Sequence, residues 1–239
     1  TRLTSKTTSV IQNNLWTHVA GTYNSATNLF SIYINGALDT TTTVPSAAPS
    51  SGTDSLYIGY DAGSGGYFSG MIDEARVWNR ALSEAEISRN LRTSLTASGG
   101  AYDGLIVSVP FQGAAISTDF TVLDQSVSGF DAVNNGAVSV DFGNRPPTYL
   151  SWNESAEFDG TGDYLAAANS NAVSPTAAYT LEAWIYPRSF DNSPTIIGKN
   201  FQSGFWLGID STASTGKIVL FIPKGGAVPS FTSLPLTNQ

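Results

Sequence analysis

The acidic segment EFDGTGD, residues 157–163, contains the residue types best suited to chemistry in this sequence. Glu157 and Asp159 lie two positions apart on a predicted strand, so their side chains share one face at a spacing of about 6.6 Å. Two carboxylates on one face can act as the acid and the nucleophile or base of a glycosidase. The next position on this face is Thr161 rather than a third acid. We therefore predict no glycosidase activity and assign no catalytic residue.

The turn within this segment, DGTGD, also suits a hard cation. Asp159, Gly160 and Asp163 offer carboxylate and carbonyl oxygens, and Ca²⁺ takes roughly six to eight such ligands. The alternative is that the two aspartates accept hydrogen bonds from amides of the turn. Both interpretations stay open, and Ca²⁺ is the metal that we predict if one binds here.

His18 is the single histidine, so a Ser-His-Asp triad or a histidine metal site would have to use it. It lies inside the predicted strand LWTHVAG, which favours a structural role. The sequence contains no cysteine, which excludes disulfides, thiol nucleophiles and thiolate metal sites.

Several aromatic residues could stack on a sugar ring, although such residues more often pack in a core or on a sheet face. The candidates are Trp184, Tyr186, Phe205 and Trp206. An exposed aromatic row would favour a binding protein, and uniformly polar sheet faces would favour a structural spacer.

The composition excludes some classes of function. Charged residues make up 13% of the 239 residues, and the formal net charge is −8. A nucleic-acid binder neutralises phosphates with clustered Lys and Arg, so we predict no nucleic-acid partner. No apolar run is as long as a membrane helix, so we predict no membrane insertion in this segment. The sequence begins without Met or a signal peptide, which favours an excerpt of a longer polypeptide.

Short segments in which apolar and polar residues alternate, separated by turns, predict an all-β sandwich. These strands and turns must position any functional side chain. Asn35-Gly36 is a strong hairpin signal. One helix is predicted near residues 84–91, because Ser83 and Glu86 form a capping box before it.

Two sets of motifs resemble a laminin-G-like, concanavalin-A-like jelly roll. LWTHVAGTY, FSIYINGA, LYIGYD and YFSGMIDEARVWNRALSEAEI are similar to the later half of that family. GLIVSVPF, VLDQSVSGFDAV, AEFDGTGDYL and YTLEAWIYP are similar to the earlier half. The resemblance implies a jelly-roll fold and adds Asp73, beside GMIDE, as a further carboxylate for Ca²⁺.

The order of these halves is reversed along the chain. Residues 1–98 resemble the C-terminal part of one domain, residues 99–103 a linker, and residues 104–239 the N-terminal part of the next domain. TSVIQNN begins at Thr8 and TSLPLTNQ at Thr232, an offset of 224 residues (232 minus 8). This offset favours a tandem array with a period of about one domain. The alternative is one circularly permuted jelly roll.

The resemblance implies a non-enzymatic recognition or adhesion module in an extracellular or cell-surface protein, binding glycan or protein and flanked by further repeats of the same polypeptide. Large surface adhesins, including those of gliding bacteria, are similar in outline. A spacer repeat of a surface filament is the alternative, and a polysaccharide hydrolase or lyase is less favoured, since a β-sandwich by itself serves many functions.

Overall fold

The computed structural model describes most of the chain. The described residues are 2–5, 11–43, 53–93, 95, 102–111, 121–126, 128–136, 138–147, 154–171, 173–200, 204–211 and 216–222. The motif beginning at Thr232 and residues 99–101 of the predicted linker lie outside them. Within this part of the chain, no helix is long and apolar enough to cross a membrane.

The described part contains sixteen strands and one short helix, α1 (Glu84–Asn90). The strands are β1 (Arg2–Thr4), β2 (Thr17–Asn24), β3 (Leu29–Ile34), β4 (Ala37–Thr43), β5 (Leu56–Ile58), β6 (Ser69–Trp78), β7 (Leu105–Val109), β8 (Thr121–Val122), β9 (Ala132–Asn135), β10 (Ser139–Phe142), β11 (Glu154–Asp159), β12 (Tyr164–Ala167), β13 (Ala178–Pro187), β14 (Thr195–Gly198), β15 (Trp206–Asp210) and β16 (Lys217–Phe221).

Two local predictions are confirmed. Ser83 is the N-cap of α1, and the reciprocal hydrogen bonds between Ser83 and Glu86 form the predicted capping box. The helix ends at a C-cap on Leu91. Asn35 and Gly36 join β3 to β4 with φ angles of 50° and 82°, the positive values that a type I′ hairpin turn requires.

The strands form two antiparallel sheets packed face to face. Sheet I has the order β1-β16-β15-β14-β5-β12-β9-β8, and sheet II has the order β10-β11-β6-β13-β2-β3-β4, with β7 also paired to β6. Alternate residues of both sheets, such as Val19 and Tyr23 of β2 and Leu165 of β12, are fully buried in one core between them. The all-β sandwich is therefore confirmed.

Both sheets combine strands from the two segments 1–98 and 104–239. β2 pairs with β13 along its whole length, from Thr17 opposite Ile185 to Asn24 opposite Ala178. β5 lies between β12 and β14 in sheet I. In this structure the two segments thus share one core, as a permuted jelly roll would. Their assignment to neighbouring domains stays a prediction about a longer polypeptide.

Candidate functional site

Four half-buried tyrosines lie together beside the outer face of sheet I, and we call them the tyrosine cluster: Tyr57, Tyr60, Tyr67 and Tyr164. Tyr60 is central, because its ring centroid lies 4.6 Å from that of Tyr67, 5.0 Å from that of Tyr164 and 5.5 Å from that of Tyr57. The rings of Tyr60 and Tyr67 are stacked at 26°, and those of Tyr57 and Tyr164 meet at 65°. This is a compact aromatic surface that remains partly open to solvent.

Strand alternation positions two of these rings. Leu56 and Ile58, on either side of Tyr57, are buried in the core, so Tyr57 points to the opposite face of sheet I. Leu165 is buried in the same way, which directs Tyr164 outward. β5 and β12 are paired neighbours, so the two tyrosines come from adjacent strands.

A tight loop positions the other two rings. The Asp61 carboxylate accepts hydrogen bonds from the amides of Gly63 at 3.0 Å and Ser64 at 2.7 Å, and its carbonyl accepts one from Gly65 at 2.8 Å. The Asp61 side chain is therefore committed to holding the loop. At the end of this loop, a Cβ on Gly66 would lie 2.3 Å from the carbonyl oxygen of Ser193, so only glycine allows the close approach that places Tyr67 beside Tyr60.

The sheet face beside the cluster carries no formal charge at its described positions. The cross-strand row from Tyr57 continues through Ala166 to Val133, a residue that is 52% exposed. Asn135 lies opposite Tyr164 in the same pairing. Burial is the main cause that raises the pKa of Tyr60, with smaller contributions from its tyrosine neighbours and Asp61, so its hydroxyl stays protonated at neutral pH.

The aromatic residues proposed from the sequence lie elsewhere. Phe205 belongs to the core, and Trp184 and Trp206 are also buried. The Trp184 indole donates a hydrogen bond of 2.9 Å to the carbonyl of Leu91 after α1. Only Tyr186 is half-buried, in contact with Trp16. Sequence reasoning missed the tyrosine cluster, although Tyr57 between two aliphatic residues was a signal for an outward ring.

The predicted Ca²⁺ turn is closed by its own hydrogen bonds. The Asp159 carboxylate accepts from the amides of Thr161 at 2.7 Å and Gly162 at 3.1 Å and from the Thr161 hydroxyl. These hydrogen bonds lower the pKa of Asp159, and the bond from the Thr161 amide makes the largest contribution. Asp163 accepts from the amide of Asp159 at 3.1 Å, and Gly160 adopts a φ of 86° in the same turn.

Asp73 lies away from this turn. Ser69 is the β6 residue opposite Asp159, and Asp73 follows four positions later, about 13 Å along the strand. Its carboxylate accepts from the amide of Glu74 at 2.7 Å, and burial raises its pKa well above the usual range. Among the residues that the structure describes, no group of three or more His, Cys, Asp or Glu side chains is arranged to hold a metal ion.

Calcium binding by the DGTGD turn stays a prediction, and calorimetry can test it. If a metal binds this turn, we expect it to be Ca²⁺, releasing heat with the intact chain and not with Asp159→Ala/Asp163→Ala, because these carboxylates would supply the anionic ligands. Mg²⁺, which demands a smaller octahedral site, is the control ion. Equal heats from both proteins, or none from either, would contradict the prediction.

The carboxylates considered for hydrolysis serve structural contacts. Glu157 forms an ion pair with Arg188, both at the surface. Asp159 caps the turn described above. The two side chains therefore have different partners in this structure.

The outer face of sheet II holds a buried network of charged residues beneath α1. A bulge in β6 creates it: Glu74 has a φ of 50°, and pairing with β13 shifts between Glu182 and Trp184. Arg76 then lies 2.5 Å from Glu74 and 3.3 Å from Glu182. Its guanidinium also donates to the carbonyls of Asn90 at 3.0 Å and Thr93 at 2.5 Å. Arg76 therefore connects the C-terminal end of α1 to sheet II by hydrogen bonds.

His18 belongs to this network and has no catalytic partner among the described residues. Its Nε2 lies 3.8 Å from an oxygen of Glu182, and its ring packs against Trp184 at 5.5 Å. Burial, and next the charge of Arg76, lower the pKa of His18 to about 3. Burial raises the pKa of Glu182 despite Arg76. The imidazole is thus neutral in the folded protein and its role is structural.

This depressed pKa predicts that His18 destabilises the folded protein as the pH falls. His18 in the unfolded chain binds a proton below about pH 6.5, whereas the folded protein takes it up only near pH 3. Between these values the unfolded state holds more protons on His18, so the contribution of this residue to the free energy of unfolding falls by about 1.4 kcal/mol per pH unit as the pH drops, while the raised pKa of Glu182 acts in the opposite direction. Urea unfolding of the protein and of His18→Gln between pH 8 and pH 4 should give a shallower profile for the variant. Parallel profiles would contradict the prediction.

Comparison with known families supports the fold. The family model described as the Concanavalin A-like lectin/glucanases superfamily, a laminin-G group, matches residues 2–88. No curated protein and no solved structure matches the chain. The matched residues include β1 to β6 and the first part of α1, and the two antiparallel sheets with one short helix form a concanavalin-A-like jelly-roll sandwich.

Proposed function

We propose that this chain is a non-enzymatic recognition module that binds an extracellular glycan or protein, as part of an adhesive surface protein. The observation that carries the proposal is the tyrosine cluster, a partly open aromatic surface next to uncharged strand positions. Tyrosine suits recognition because a rigid apolar ring and a hydrogen-bonding hydroxyl come with little conformational entropy to lose.

The proposed setting is an extracellular array of similar repeats. A weak site gains avidity when copies are linked, because each further contact forms at a high effective concentration. The offset between Thr8 and Thr232 supports this part of the proposal. Neighbouring repeats would be the partners along the polypeptide, and Ca²⁺ remains a proposed ligand of the DGTGD turn.

Binding and hydrolysis can be assayed together. The purified chain would be probed against immobilised glycans and extracellular matrix proteins, with and without Ca²⁺, and the soluble glycans would be examined for new reducing ends. We expect binding to at least one probe and no reducing ends. Hydrolysis that Glu157→Gln abolishes would identify an enzyme. Absence of binding to every probe would favour the spacer.

A further inference from the structure

We propose that the tyrosine cluster, defined above, is a binding site for a neutral pyranose unit of a glycan. This inference rests on the proposed function and specifies its ligand and the surface used. The ligand would stack on Tyr57 and Tyr164 and be held at its hydroxyls by phenol groups and by Asn135.

The arrangement of the four rings indicates which tyrosines of the cluster would contact a ligand. Tyr60 is surrounded, since all three other rings lie within 5.5 Å of its centroid and Tyr67 stacks on it. Tyr60 therefore supports the other rings, and Tyr67 covers one of its faces. Tyr57 and Tyr164 meet at 65° with centroids 5.8 Å apart, which makes a corner with two ring surfaces. The negative face of an aromatic ring attracts the weakly positive C–H groups of a pyranose.

The polar groups at this corner match sugar hydroxyls. A phenol both donates and accepts a hydrogen bond, and an amide side chain does the same with separate atoms. Asn135 is the residue opposite Tyr164, and its Nδ2 donates to the carbonyl of Val133 at 3.0 Å. That bond orients the amide beside the rings and leaves its oxygen for a ligand hydroxyl within this described surface.

Charge favours a neutral ligand. The outward strand positions around the corner are uncharged, namely Thr121, Val133, Asn135, Ala166 and Tyr57. The nearby Asp61 carboxylate is fully buried and bonded to its own loop. With a net charge of −8, the protein repels sulfated or uronic glycans. Lys199, which follows the β14 residue paired with Tyr57, is buried and donates to Asn169, so it does not face a ligand at the described corner.

The corner is also organised before binding. Two of its rings are carried on paired strands and rest on Tyr60, which the Asp61 loop holds in place. Binding therefore costs little side-chain conformational entropy, and this saving is important for a site that makes only a few contacts with its ligand.

Calorimetric titration with defined sugars tests the inference. The probes are neutral hexasaccharides of glucose, mannose, galactose and xylose, with heparin and oligogalacturonate as charged probes, each at low and high salt. We expect at least one neutral probe to bind with an affinity that salt leaves unchanged, and no charged probe to bind. Tyr57→Ala and Tyr164→Ala should each raise Kd about tenfold or more, and Tyr57→Phe should retain most of the stacking.

Two further variants guard against effects of misfolding. Ala166→Arg keeps every tyrosine and places a long side chain opposite Tyr57, so it should block the neutral probe. Tyr102→Ala removes a tyrosine that is 38% exposed before β7, and it should bind normally. Near-ultraviolet circular dichroism confirms the fold of each variant.

The outcomes separate this inference from the proposed function. If a neutral sugar still binds to Tyr57→Ala and Ala166→Arg, the tyrosine cluster is not its binding site. The proposed recognition role would stand in that case. Binding confined to charged glycans or to a matrix protein would overturn the neutral ligand and leave that role intact. If no glycan or protein binds, both proposals fail.

Discussion

Segments 1–98 and 104–239, produced as separate polypeptides, are expected to assemble into one folded domain when mixed, and neither is expected to fold alone. β2 and β6 from the first segment pair on either side of β13 from the second. Each segment alone would leave these strands with unpaired edges and half of a core, which invites aggregation. Together they restore both sheets and the shared core.

Size-exclusion chromatography and far-ultraviolet circular dichroism of each segment and of the mixture would measure this assembly. Leu181→Pro is the matched control, because Leu181 of β13 is paired with Gly21 of β2 and with Val77 of β6 and proline cannot donate a ladder hydrogen bond. This variant should prevent association. Cooperative unfolding of either segment by itself would contradict a shared core and favour separate neighbouring domains.

Arg76→Ala is expected to cost about 3–5 kcal/mol of unfolding free energy. Arg76 is 1% exposed and lies between the buried carboxylates of Glu74 and Glu182. Removing the guanidinium leaves two buried acids without their cation, and it also removes the bonds to the chain after α1. An uncompensated buried charge is the larger part of this cost.

Urea unfolding at pH 7 measures the loss, and Arg80→Ala is the control. Arg80 also forms an ion pair, 2.8 Å from Glu86, but both side chains are partly exposed, so its removal should cost no more than about 1 kcal/mol. Arg76→Met with Glu182→Gln should recover part of the stability, because one buried charge is then absent. Equal losses for Arg76→Ala and Arg80→Ala would show that the network contributes little.

Local chemistry was sufficient to predict several elements from the sequence. The capping box that begins α1 needs only Ser83 and Glu86, three positions apart. The hairpin turn between β3 and β4 likewise needs only Asn35 and Gly36, which adopt the positive φ angles of the turn. The alternation of buried and outward residues likewise predicted strands and an all-β sandwich. Each of these features depends on neighbours along the chain.

Contacts between distant segments required the tertiary structure. The motifs indicated two domain halves and left open whether these would close on each other as a permuted jelly roll, so the pairing of β2 with β13 came only from the structure. Strand alternation did not reveal that Asp73 lies far from Asp159, since their separation depends on the register of β6 with β11. The tyrosine cluster joins Tyr57 and Tyr60 to Tyr164, more than a hundred residues later. The spacing of side chains along a strand is set by local backbone geometry. The choice of partner strand depends on the whole chain, because the favoured pairing leaves the fewest backbone groups unpaired and buries the most apolar surface.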